Sequence, residues 1–379
     1  MAFHHRSFTK FGTALAAGLI ALVTSAQADT TTITDITGRQ VAVETPVQRV
    51  ILGEGRQIFF ASVLDTEDPF GRVVGWRDDF MKADLDGYNA YKELFPQIDD
   101  IPTFGGMKDG TFDIEQAVSL SPDVIIMNLE AKAANEEGGY IEKLAAVGIP
   151  LVYVDFRERP MENTAASMEI IGELFGKSER ATEFNDFYRT QMARVTDVID
   201  AQPDLERPLV FMERAGGYSE DCCMSFGNEN FGKMVELAGG TNLASAFIPG
   251  TFGTVNPEQI VASNPDQVVV TGANWEMYVP GGDWIGVGSG ADLDMARTKL
   301  AHLMERPAFT GSTAKKTGQV HAIWHQFYNS PYQFVAVQQL AKWFHPDLFA
   351  DLDPDATFRE LHERFLPVPY RPGYFVTVN

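Results

Sequence analysis

Two hydrophobic periods alternate along this chain. Short apolar runs of strand length occur at Arg49 to Leu52, Arg72 to Trp76, Val124 to Met127 and Ile149 to Val154. They occur again at Leu209 to Met212, Gln267 to Val270 and Val320 to Ile323. Between them lie segments with apolar residues at steps of three and four, the period of a helix packed on one face. These predict helices from about Gln57, at Tyr88 to Phe95, Ile141 to Val147, Met161 to Phe175, Phe231 to Ala238, Pro331 to Phe344 and Ala356 to Phe365. Strands alternating with helices predict a largely parallel sheet. Thr31 to Val43 alternates apolar and polar residues around Thr37-Gly38 and predicts a hairpin.

The longest helical pattern runs from Ser178 to Ala201. Ala181, Phe184, Tyr188, Met192, Val195 and Ile199 fall on one face. Ser178 can cap its start, and Pro203 cannot continue it. At about 1.5 Å per residue it spans about 36 Å, more than one small domain needs. Two similar units flank it. FDIEQAVSLSPDVIIMN (Phe112 to Asn128) and VNPEQIVASNPDQVVVTG (Val255 to Gly272) align without gaps, Glu115 on Glu258. In each, a capping residue (Asp113, Asn256) and a Gln at N3 (Gln116, Gln259) suit a capping box, with the glutamate at N2. A repeat at fixed distance signals two copies of one supersecondary unit. The expected fold is α/β: two lobes with mostly parallel central sheets, joined by one spanning helix, with a ligand cleft between them. The expected boundaries are residues 29–176, 177–202 and 203–379.

The first residues change the picture of where the chain works. His4, His5, Arg6 and Lys10 precede an apolar run, Phe11 to Val23, that is too short to span a bilayer. Ala26-Gln27-Ala28 has the small-x-small form of a cleavage site. Residues 1–28 therefore read as a secretory signal, with a mature chain from Asp29. The formal net charge is −22, and loss of Arg6 and Lys10 makes the mature chain more acidic still. Such a surface does not suit nucleic acid or anionic lipid. No later apolar run reaches membrane-spanning length, so the mature chain is not expected to cross a membrane. The two cysteines are adjacent, Cys222-Cys223. In an oxidising compartment they pair with each other, pair with another chain, or sit reduced in their loop.

The candidate chemistry is binding. No Gly-x-Ser-x-Gly elbow is present. A hydrolase using two carboxylates stays open, because 52 acids offer many pairs. After the signal the histidines are His302, His321, His325, His345 and His362, all near the C-terminal end, which leaves a cleft built from both lobes short of nitrogen ligands. Open α/β sheets bind ligands at strand C-terminal ends. Those ends supply Arg56, Trp76, Arg77, Glu213, Arg214, Tyr218, Trp275, Tyr278, Trp324, His325 and Tyr328. Packing accounts for each aromatic singly; arginines in an acidic molecule suit an anionic ligand through bidentate hydrogen bonds.

DITGRQVAVETPVQRV, the two EQ…PD units, KLAAVGIPLVYVD, LAGGTNLA and LAKWFHPDLF together give the chain a family likeness. It resembles the periplasmic substrate-binding proteins of ABC importers for ferric siderophores, haem and cobalamin. The resemblance implies a periplasmic, non-enzymatic protein without an intrinsic cofactor. It implies that the protein captures a ferric chelate and docks on an inner-membrane permease through Glu115 and Glu258. It also implies Tyr328, or else His325, as a residue completing the shell of a chelated iron. Haem and cobalamin remain alternatives on the same scaffold; haem would recruit His325 or a tyrosine. The chain departs from the family pattern at Glu67 to Ile101 and at the Gly-rich loop around Gly281.

Overall fold

The structure, a computed structural model, describes residues 1–2, 29–219 and 222–378. The expected signal sequence therefore lies, but for its first two residues, outside the described residues. Among the described residues no helix is long and apolar enough to cross a membrane.

In the first half of the chain five parallel strands lie in the order Thr103–Phe104, Val73–Arg77, Val50–Leu52, Val124–Asn128, Leu151–Val154. Val50–Leu52 and Val124–Asn128 are buried throughout. Strands covered on both faces need such unbroken apolar runs. The expected hairpin forms from Asp29–Thr34 and Gln40–Thr45, paired antiparallel. In the second half, Leu209–Glu213, Gln267–Gly272 and Val320–Trp324 form a parallel centre. Met224–Phe226 and Phe252–Thr254 extend one side antiparallel, and Phe375–Thr377 pairs antiparallel with the other edge. Thr241–Asn242 adds a parallel pairing on Leu209 and Val210, so the second sheet is parallel but for the antiparallel strands at its two sides.

The long helix is Ser178–Asp200. Its buried face includes Ala181, Phe184, Tyr188, Val195 and Ile199, the positions its period marks. It packs on Pro160–Phe175 from the first half and on Gln333–Phe344 from the second. Gln338 Nε2 donates to the Gln191 carbonyl at 3.0 Å across that contact.

The two repeat units start as capped helices, Ile114–Ser119 and Pro257–Ser263. Asp113 accepts from the Gln116 N–H at 3.1 Å, and Asn256 from the Glu258 N–H at 2.8 Å. The capping box is only half made. Gln116 Nε2 donates to the Thr103 carbonyl on the short edge strand at 3.2 Å instead of returning to the cap. Glu115 and Glu258 both stand exposed at N2. The Glu67 to Ile101 segment holds two helices, Asp79–Ala83 and Leu85–Leu94, where the period predicts one. Cys222 and Cys223 are joined as a vicinal disulfide.

Candidate ligand-binding cleft

Each parallel strand hands over to the cleft at its C-terminal end. After Val50–Leu52 the chain turns through Gly53-Glu54-Gly55 into a short 3-10 turn that holds Arg56. A Cβ at Gly55 would collide with the Arg77 carbonyl oxygen, so the two strand ends approach this closely only through glycine. Arg77 is the last residue of Val73–Arg77, and Arg157 lies just after Leu151–Val154. From the other half come Arg214 after Leu209–Glu213, Trp275 after Gln267–Gly272, and His325 and Tyr328 after Val320–Trp324. They enclose a cavity of about 280 Å³, completed by Asp79, Ala83, Ala215, Tyr218, Met224 and Tyr278. A second chamber of about 200 Å³ lies behind Arg77 and Arg157, lined also by Glu54, Lys108 and Glu130.

Three of the four arginines have carboxylate partners. Arg56 Nε donates to Asp79 Oδ2 at 2.7 Å, and its Nη2 lies 3.8 Å from Glu54. Arg157 lies 3.2 Å from Glu54 and 2.7 Å from Glu130. Arg77 pairs with Asp109 at 2.8 Å on the half-exposed side. Arg214 has no carboxylate within ion-pair distance among the described residues, and its Nε is buried without a hydrogen-bond partner. Its guanidinium lies 4.7 Å from the centre of the Phe252 ring. Burial and the neighbouring Arg157 and Arg56 push its pKa down from the usual arginine value. That is the electrostatic position of a cation still short of an anion.

The paired groups hold the opposite balance. Burial alone would raise the Glu54 carboxyl, but Arg157, Arg56 and the Asn329 amide outweigh it and hold it down at about 2. Asn329 Nδ2 donates to Glu54 at 2.9 Å from the other half of the chain. Burial pushes Asp79 up against the pull of Arg56. Burial also works against charge on Arg56, but the Tyr328 hydroxyl, Asp79 and Glu54 raise it well above its ordinary value.

The second half contributes an aromatic wall. Tyr218 meets Trp275 at 5.5 Å and Tyr278 at 6.0 Å, Trp275 meets His325 at 5.4 Å, and His325 lies 4.3 Å from Tyr328. The Tyr328 hydroxyl accepts from Arg56 Nη1, and the Arg56 and Arg157 guanidiniums lie 5.4 and 5.3 Å from its ring centre. His325 Nδ1 hydrogen-bonds the Thr271 hydroxyl at 2.9 Å. Burial, then Arg214, Arg56 and Arg157, hold the imidazole well below its ordinary pKa, so it is neutral. Among the described residues no three His, Cys, Asp or Glu side chains gather as a metal-holding group.

Of the residues expected from sequence, Arg56, Arg77, Arg214, Tyr218, Trp275, Tyr278, His325 and Tyr328 line this one cavity. Trp76, Trp324 and Glu213 do not. Side chains alternate along a strand, so Trp76 turns into the core against Phe70 and Phe80 while Arg77 turns to the cleft. Trp324 is buried against Phe59, Phe327 and Tyr374 one residue before His325. Glu213 is buried and paired with Arg306. Arg157 and Asp79 line the cleft without having been expected there. The signal for Arg157 was present: DFRER follows the Leu151–Val154 strand as Arg214 follows its own.

The family model for periplasmic binding proteins matches residues 86–325. The solved TroA-like periplasmic binding protein FepB of Veillonella parvula is 30% identical with a TM-score of 0.82, over 92% of this chain and 99% of that one. The molybdate-binding protein MolA of Haemophilus influenzae is 22% identical over 90% of this chain and 92% of its own length. Its molybdate-bound structure superposes with a TM-score of 0.70 at 20% identity, covering 90% of this chain and 99% of that one. A periplasmic heme binding protein of Pseudomonas aeruginosa shares the fold with a TM-score of 0.55 at 18% identity, over 79% and 94% of the two chains.

Proposed function

We infer what this chain does from its descent: it belongs to the periplasmic binding protein family. It captures a compact anionic metal complex, a ferric chelate of siderophore type, and delivers it to the inner-membrane permease of an ABC importer. The observation that carries the reading is Arg214, a largely buried cation without a carboxylate partner among the described residues, facing a cavity that three further arginines line. A ligand oxygen placed there gains a charge-assisted hydrogen bond. The aromatic wall gives the apolar part of a chelate a surface to lie against. Iron is cargo in this reading, not a resident ion.

A second reading has its own support. The cavity of about 280 Å³ sits at the low end of small-molecule sites, which run from about 300 Å³. A bare tetrahedral oxyanion is small enough to enter it with room to spare, and MolA is similar along most of this chain.

Titration by tryptophan fluorescence decides between them, because Trp275 stands in the wall. The panel holds ferric citrate, a ferric catecholate, a ferric hydroxamate, molybdate, haem and cobalamin. Tight binding of a ferric chelate with weak molybdate binding is expected. Tight molybdate binding with no response to the chelates would replace the first reading by the second. Response to haem or cobalamin alone would overturn both.

A further inference from the structure

The two segments that depart from the family pattern meet beside the cleft. Residues 83–86, between the helices Asp79–Ala83 and Leu85–Leu94, bond to the second half of the chain three times in succession. Gln326 Nε2 donates to the Ala83 carbonyl at 2.8 Å, Trp324 Nε1 to Asp84 Oδ1 at 3.4 Å, and Asn274 Nδ2 to Asp86 Oδ1 at 2.8 Å. Gly288, from the Gly-rich loop, lies against Trp324 and Asp84. Ala83 also lines the ligand cavity, and Asp79, four residues before it, fixes Arg56.

We propose that residues 83–86 form a clasp that sets the gap between the two halves of the cleft, with Asp84 as the positioning residue that fastens it. This rests on the binding reading only for its consequence, since the bonds of the clasp all lie within the chain itself. Asp84 is buried to 1% exposure, and its Oδ2, which lies against Gly87, receives no hydrogen bond of good geometry. Charge there would be poorly solvated. Burial first, and the Asp86 carboxyl second, push Asp84 up to about 7, against the Trp324 N–H, the Gly87 N–H and the more distant Arg56. The other groups facing it line an adjoining cavity of about 30 Å³: Tyr91, Tyr332, Tyr374 and His362. His362 is held down to about 4 by burial, so its effect has the opposite sign.

The sign for Asp84 follows from linkage. Opening the clasp exposes the carboxyl to water, where its pKa returns to about 3.9. The closed form therefore holds the proton more tightly, and the clasp is fully fastened only below about 4 and loosens as pH rises to about 7.

Hydrogen exchange on the ligand-free full chain tests this without any ligand. In the native protein, protection of the amides of residues 83–87, corrected for intrinsic rate, should fall up to about tenfold per pH unit from pH 5 to 7 and level off above. Asp84→Asn keeps the neutral shape and should show a flat profile. Asp84→Ala should be weakly protected at every pH. The same slope in native protein and Asp84→Asn would overturn the proposal, as would a slope of opposite sign, which would give the control to His362. If the clasp titrates as expected while the ligand panel stays silent, the binding reading fails and the clasp stands.

Discussion

At the scale of residues, the cleft separates arginines paired with carboxylates from Arg214, which has no such partner among the described residues. Arg214→Ala should weaken ligand binding about tenfold to hundredfold, the loss of a charge-assisted hydrogen bond, and leave the fold intact. Calorimetry on the best ligand of the panel checks it; an unchanged affinity would remove Arg214 from recognition. Glu54 behaves differently, since it joins Arg56, Arg157 and Asn329. Glu54→Gln leaves two buried guanidiniums short of a charge and should destabilise the protein by about 3 kcal/mol in denaturant unfolding. Tyr328 serves at least as the acceptor for Arg56. If it also ligates a chelated iron, the complex should carry a phenolate-to-iron absorption band that Tyr328→Phe abolishes. An unchanged spectrum would confine Tyr328 to holding Arg56. The strand-end rule read most of this site from sequence. It failed for Trp76 and Trp324 because a one-residue difference along a strand decides between core and cleft. It missed Asp79 because an acid after an arginine reads as solvated until the fold buries it.

At the scale of elements, period was enough for the long helix, whose buried face is the one its spacing marks; the expected cap is not formed, since Ser178 is its first helical residue and Lys177 stands at the N-cap without a side-chain cap bond. Period was not enough for Asp79–Ala83. Five residues with two charges carry no helical period, and that helix is held by tertiary contacts rather than by propensity. The repeated helices Ile114–Ser119 and Pro257–Ser263 present matched glutamates, exposed and uninvolved in the cleft. The double substitution Glu115→Ala with Glu258→Ala should leave ligand affinity unchanged while uptake by cells falls. A large loss of affinity in the purified double variant would take these glutamates away from the permease. Their N2 positions also favour negative charge at a helix start, so a small loss of stability, a few tenths of a kcal/mol each, accompanies the change.

At the scale of the whole molecule, three buried histidines set the response to acid. Burial holds His321 down at about 3 and His362 at about 4, and His325 well below its ordinary value. Each binds its proton more readily when unfolded, so each contributes stability that is complete above about 6.5 and declines as pH falls below it. Urea unfolding should show stability falling between pH 6.5 and 4.5 by roughly 1 kcal/mol per pH unit for each such histidine, with Asp84 opposing by about as much as one of them. Stability that is level over this range would contradict the burial of these imidazoles as neutral groups. The arginine cleft also has a kinetic consequence. It is a cationic recess in a chain of net charge −22. An anionic solute crosses a repelling field before it reaches the guanidiniums, and dissolved salt screens the long-range repulsion more than the short contacts inside. Stopped-flow association should therefore quicken as ionic strength rises, while dissociation changes little. Most charge-guided encounters slow in salt; here the far field acts as a filter that small mobile ions relax.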